Sequence, residues 1–263
     1  MIQFLKQCTF SVNDVFQKAF SILTSHYFSV LGLFLLLFIT SNFSTTLAFY
    51  IQDYSFFLSC LMFIAFVVLY FGIQLTLFKY ILRIIDSDNK VKISSIIPTF
   101  LEISNYFGGM LLGAVLSPLL IILALALICF PLIYLDSDLV YKLPNIVLSI
   151  GLVLIVPFLL RIAFFPFFIL DRNVSSYRSL RLSFALTRGN MTKILLILAV
   201  FGLMHLLQTY LTYKSYYFMS IGLSVLNSFF VQPLVSVVMA VAYKDMMADY
   251  KGGDNPSVLE NII

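Results

Sequence analysis

Apolar residues along this chain gather into six long, nearly uncharged runs, at 28–49, 56–78, 106–135, 143–170, 194–212 and 218–243, with short polar stretches between them. Crossing the hydrocarbon core of a bilayer takes roughly 20 predominantly apolar residues in a helix. Lipid offers the backbone no hydrogen-bond partners, so a crossing is either helical or part of a closed barrel, and continuous runs without two-residue alternation favour helices. The pattern therefore predicts an all-α polytopic membrane protein with six transmembrane helices, forming a single membrane domain over 1–263. The first run is too long for a signal-peptide core, and we expect it to be retained.

A slower period lies over this one. The tetrad Val12-Asn13-Asp14-Val15 returns as Ile93-Ser94-Ser95-Ile96 and again as Val174-Ser175-Ser176-Tyr177, each time after 81 residues. Each tetrad opens a polar-faced stretch. In the first, Val15, Phe16, Ala19, Phe20, Ile22 and Leu23 take one helical face and Asp14, Gln17, Lys18, Ser21 and Ser25 the other, with Ser11 or Asn13 as the N-cap. In the second, over 94–104, the apolar set is Ile96, Ile97, Phe100, Leu101 and Ile103, and Pro98 falls in the first turn, where a missing N–H costs little. The third covers 175–188. We expect three amphipathic helices lying on the cytoplasmic leaflet, each followed by two spans. That makes three parallel repeats, 11–91, 92–172 and 173–251, with 252–263 as a flexible C-terminal tail.

Composition agrees with a bilayer setting: 61% of residues are hydrophobic and 11% charged, with a mean hydropathy of +1.03, whereas about a quarter of a soluble chain is charged. The net charge of +4 says less than its placement. Of 16 Lys and Arg residues, 13 fall on the side that carries the N-terminus, Lys142 and Lys214 fall on the other, and Arg161 lies inside the fourth run. By the positive-inside rule both termini are cytoplasmic. Trp is absent, so tyrosines near the run ends, such as Tyr50, Tyr70, Tyr80 and Tyr213, are expected to form the interfacial belts. Cys8, Cys60 and Cys129 are isolated, which supports neither a disulfide framework nor a metal cluster.

Two groups of residues carry candidate chemistry. On the third amphipathic stretch, at about 100° per residue, Arg178, Arg181 and Arg188 fall within roughly one quadrant, and Lys193 follows. They suit anionic headgroups or a partner, or else they enforce topology by snorkelling to phosphates. The second group is intramembrane and polar: Arg161, His205, Gln208, Asn227 and Gln232. A charge within a span costs about 3 kcal/mol or more unless it finds water or a partner, whereas interhelical hydrogen bonds of about 0.6 kcal/mol each account for the neutral members. Pro118, Pro131, Pro157, Pro166 and Pro233 interrupt the later runs, and such kinks are tolerated where a neighbour or cavity satisfies the freed carbonyls. With two histidines, no Gly-rich phosphate loop and no Ser-His-Asp or HExxH grouping, a catalytic constellation is not expected.

The segment from Arg161 through Pro166 to Asp171, followed by Ser179-Leu-Arg-Leu-Ser183 and Arg188-Gly189-Asn190, resembles the signature of the YciC-like bacterial membrane proteins. These are related to the membrane domain of some glycerophosphodiester phosphodiesterases. Phe71-Gly72, Ile85-Asp86, Ser94-Ser95, Phe100 and Ala242-Tyr243-Lys244-Asp245 are similar to the same pattern. The resemblance implies a six-span protein of a bacterial inner membrane; no phosphodiesterase motif accompanies it. The expected function is non-catalytic binding of membrane lipid, preferentially anionic, or of a partner membrane protein or second copy, through the kinked bundle and basic surface helices. The alternative is a transporter of a small solute or lipid through a cavity near Arg161. No cofactor, metal or nucleic acid is expected.

Overall fold

The computed structural model describes residues 10–51, 56–86, 95–135 and 143–249, with the backbone alone over 124–135 and 143–150. Among them there are helices and no strand: α1 (Val12–Ile51), α2 (Phe56–Asp86), α3 (Phe100–Leu135), α4 (Leu143–Ile162), α5 (Phe165–Arg172), α6 (Ser176–Leu186), α7 (Met191–Tyr213), α8 (Tyr217–Leu226), a π-helical segment (Asn227–Val231) and α9 (Gln232–Asp249). Among the described residues six stretches are long and apolar enough to cross a membrane: α1, α2, α3, α4 with α5, α7, and α8 with α9. The chain is a multi-pass helical membrane protein. The tail at 252–263 lies outside the described residues.

Protein–protein burial concentrates at one end of the bundle, where α2, α5 and α9 finish and α6 and α7 begin; we call this the polar end. The middle turns of α9 lie at its centre, with Val237, Val238, Ala240, Ala242, Tyr243 and Met246 closed off from their surroundings. Against them pack α1 and α2, and the Tyr243 ring meets Phe164, Phe167 and Phe168 at 6.5, 5.5 and 5.1 Å between centroids. Away from this end large apolar side chains such as Phe56, Phe63, Phe218 and Ile221 stay exposed, as a surface facing acyl chains requires.

The amphipathic stretches take three different forms. The first is continuous with its span, interrupted only by a kink at His26 (φ −120°, ψ 21°). Protein covers part of its apolar face, where Phe16 meets Phe201, ten residues into α7, at 5.7 Å, while Phe20 stays exposed; on its polar face Lys18 donates to Asp245 at the end of α9. The second is not a helix over 94–104. Its described residues before Phe100 form a single turn, and the helix starts at Phe100 because Thr99 and Glu102 form a capping box: Glu102 Oε2 accepts the Thr99 N–H at 2.6 Å and Thr99 Oγ1 accepts the Glu102 N–H at 3.3 Å. Pro98 thus precedes the cap and does not occupy the first turn. Only the third stretch, α6, is a separate short helix.

The fourth run also divides. Pro166 has no N–H and its ring crowds the carbonyl four residues back, so the helix stops at Ile162 and restarts at Phe165. Ser183 of α6 repairs the break, donating to the Arg161 carbonyl at 2.6 Å and accepting the Phe164 N–H at 3.2 Å. By contrast, α3 stays helical through Pro118 and Pro131.

Candidate functional site

Pro233 shapes the centre of the sixth crossing. It offers no N–H to the carbonyl of Phe229, four residues earlier, and there the helix widens to the π form, with the Gln232 N–H reaching back five residues to Asn227. The Phe229 carbonyl accepts the Tyr27 hydroxyl at 3.3 Å instead. Tyr27 follows the His26 kink, and its ring stacks on Phe230 at 5.7 Å. One irregularity in α1 therefore seats another between α8 and α9.

Beside this widened segment, between α1, α2, α7 and α9, lies a cavity of about 690 Å3. Its polar wall includes Ser41, Asn42, Tyr70, Gln74, His205 and Gln232, and its apolar wall includes Leu37, Phe38, Phe201 and Phe229. Asn227, 3% exposed, lies behind His205, its Nδ2 at 3.3 Å from His205 Nε2. Three buried amide oxygens, Gln74 Oε1, Gln208 Oε1 and Asn227 Oδ1, have no hydrogen-bond partner among the described residues. Such atoms each leave a desolvation cost uncompensated.

The structure thus gathers His205, Gln232 and, in support, Asn227 at one cavity. Gln208 follows one turn along α7, outside the lining. Arg161 stands apart from all four. Its Nε lies 3.5 Å from Met191 Sδ and its guanidinium 5.8 Å from the Phe184 ring centroid. Met191 opens α7, and His205 is fourteen residues farther along it, roughly 20 Å at 1.5 Å per residue. The cavity is therefore not one near Arg161. Conversely Tyr70, expected in an interfacial belt, sits mid-helix in α2 and lines the cavity. Gln74 belongs to the site as well; only its place within an apolar run marked it in the sequence.

At the polar end, α6 buries Ser179, Leu180, Leu182, Ser183 and Leu186 against the bundle and leaves Arg178 and Arg181 exposed. Arg188 is exposed too, but in the turn after α6, so the one-quadrant helical geometry holds only for the first two. Gly189 lies in that turn at φ 90°, a backbone state that favours glycine. Lys193 is taken up internally: it donates to the Phe10 carbonyl at 2.6 Å and lies 5.5 Å from that ring's centroid.

Two charged clusters here have no signature in the apolar pattern. Lys79 and Glu102 form a pair at 2.8 Å with side chains only 10% and 4% exposed. Lys244 bridges Asp171 at 2.6 Å and Asp86 at 2.9 Å, while the Tyr243 hydroxyl donates to Asp171 at 3.0 Å. Comparison with protein-family models, curated proteins and solved structures finds no match to the chain.

Proposed function

We propose that this is a non-catalytic protein of a bacterial inner membrane, related to the YciC-like group, with both termini cytoplasmic, that binds anionic lipid at the polar end. The observation that carries the reading is the form of α6. At 11 residues it is too short to cross a bilayer, its Leu/Ser face is buried, and its exposed face bears Arg178 and Arg181 with no acidic residue on the helix. Arg172 before it and Arg188 after it are also exposed. Each basic residue near an anionic surface contributes about 1 kcal/mol.

The test is the triple variant Arg178→Gln, Arg181→Gln, Arg188→Gln in nanodiscs of mixed phosphatidylglycerol and phosphatidylethanolamine, read by native mass spectrometry of the released protein. Selective loss of retained phosphatidylglycerol supports the reading, and unchanged retention overturns it. A membrane-protein partner would appear in the same comparison as a co-purifying subunit lost in the variant. The cavity favours a second reading, passage of a small solute or lipid, through the His205 region and not past Arg161. Vesicle flux that depends on His205 and Gln74 would distinguish passage from binding alone.

A further inference from the structure

We infer that the intramembrane cavity is the head-binding half of a site for a neutral, hydroxyl-bearing lipid, of the diacylglycerol or long-chain-alcohol class, and that a neighbouring groove holds its chain. Ser41 and Tyr70 line both the polar cavity and a second cavity of about 490 Å3, whose other walls include Met62, Phe63, Phe66 and Val67. The Ser41 and Tyr70 side chains therefore stand at a junction between a hydrogen-bonding compartment and an apolar one, both formed in part by α1 and α2. A single-compartment solute has no use for the second; an amphiphile fits both.

The charge of the head follows from the lining. No Lys, Arg, Asp or Glu is among the described residues around the polar cavity. A phosphate brought there would be desolvated without a counter-charge, which disfavours it strongly. Hydroxyl groups meet no such barrier. They can pair with the amide of Gln74, a lining residue whose Oε1 has no partner among the described residues, and with the His205 ring, since a hydroxyl both donates and accepts. The volume suits a head and the first carbons of a chain, being in the range of roughly 300–1,000 Å3 typical of ligand sites. The site shares no residue with the basic face of α6, so this inference stands or falls separately from the anionic-lipid reading.

The probe is dioleoylglycerol carrying a photoreactive diazirine in one acyl chain, incorporated with the full-length protein in phosphatidylcholine nanodiscs. Labelled peptides are mapped, and unlabelled dioleoylglycerol or dioleoylphosphatidylglycerol is added as competitor. Labelling is expected on 62–71 and on the facing part of α1, displaced by the neutral lipid and not by the anionic one. Gln74→Leu should lower it roughly tenfold, the equivalent of one buried hydrogen bond. Gly202 lines the cavity and a Cβ there meets nothing within 4 Å, so Gly202→Phe fills the space with little disturbance of the fold and should abolish the labelling. The triple arginine variant should label as the parent does. Equal displacement by both competitors, or labelling spread over all lipid-facing helices and indifferent to Gly202→Phe, overturns the inference in favour of annular lipid only.

Discussion

Lys244 Nζ lies 2.6 Å from Asp171 Oδ1 and 2.9 Å from Asp86 Oδ2, so a single ammonium joins the ends of α2, α5 and α9. Asp171 and Lys244 are 14% and 17% exposed, and Asp171 also accepts the Tyr243 hydroxyl. Charge-assisted hydrogen bonds in such settings contribute about 1.5–3 kcal/mol. Lys244→Met should therefore lower stability by about 2 kcal/mol in detergent unfolding. Lys18→Met, which breaks a pair whose lysine is 55% exposed, should have an effect within about 1 kcal/mol.

The Lys79–Glu102 pair has more at stake because both side chains are almost fully enclosed, and Glu102 also closes the capping box on Thr99. Removing one partner strands the other charge, at about 3–5 kcal/mol. Lys79→Met alone should lower the melting temperature markedly. In Lys79→Met with Glu102→Gln the remaining side chain is neutral and still able to accept from Thr99, so much of the loss should be recovered. Equal destabilisation by the single and double changes would contradict this.

Close approach of α3 to α5 depends on a missing side chain. A Cβ at Gly109 would lie 2.8 Å from the Phe165 ring, and that ring is itself buried and stacked on Tyr106 at 5.4 Å. Gly109→Ala should cost about 1–3 kcal/mol by overpacking. Gly72→Ala, where a Cβ meets nothing within 4 Å, should leave stability unchanged or raise it by up to about 1 kcal/mol through helix propensity. Parallel thermal unfolding of the two proteins in one detergent checks the pair.

Ser183 satisfies two backbone groups at the α4–α5 break. Ser183→Ala leaves the Arg161 carbonyl and the Phe164 N–H short of a partner, and should destabilise by about 1–3 kcal/mol. Hydrogen exchange should rise first at 161–165, ahead of the remainder of α4.

Charge placement predicts the sidedness. A reporter that folds only in the cytoplasm should be active when fused to the C-terminus of the chain, and one that requires export should be active when inserted within 136–142. Activity in the opposite arrangement would reverse the assignment of α6 to the inner leaflet.

Six apolar stretches were readable from the chain alone because burial in lipid is a local requirement: each run had to be long enough and uncharged enough by itself. The clustering of Lys and Arg at alternate loops was equally plain. Partnerships were another matter. In a bilayer a crossing helix is apolar on every side, so no stripe announces which face meets protein and which meets lipid. Hence Arg161 could be placed inside a run while its separation from His205 could not be seen, and Tyr70 read as belt when it lines a cavity.

The amphipathic stretches show the same division. Their periodicity was correct for Val15, Ala19 and Leu23, all buried, but it did not distinguish a leaflet from α7 and α9 as the covering surface. The start of α3 depended on a four-residue box whose Glu102 is held by Lys79 on another helix. Composition and local period thus determined six helical stretches, among the described residues, that are long and apolar enough to cross a membrane. Only tertiary contacts between residues far apart in sequence decided where its charges pair and where its cavity opens, because those energies depend on neighbours that no local pattern contains.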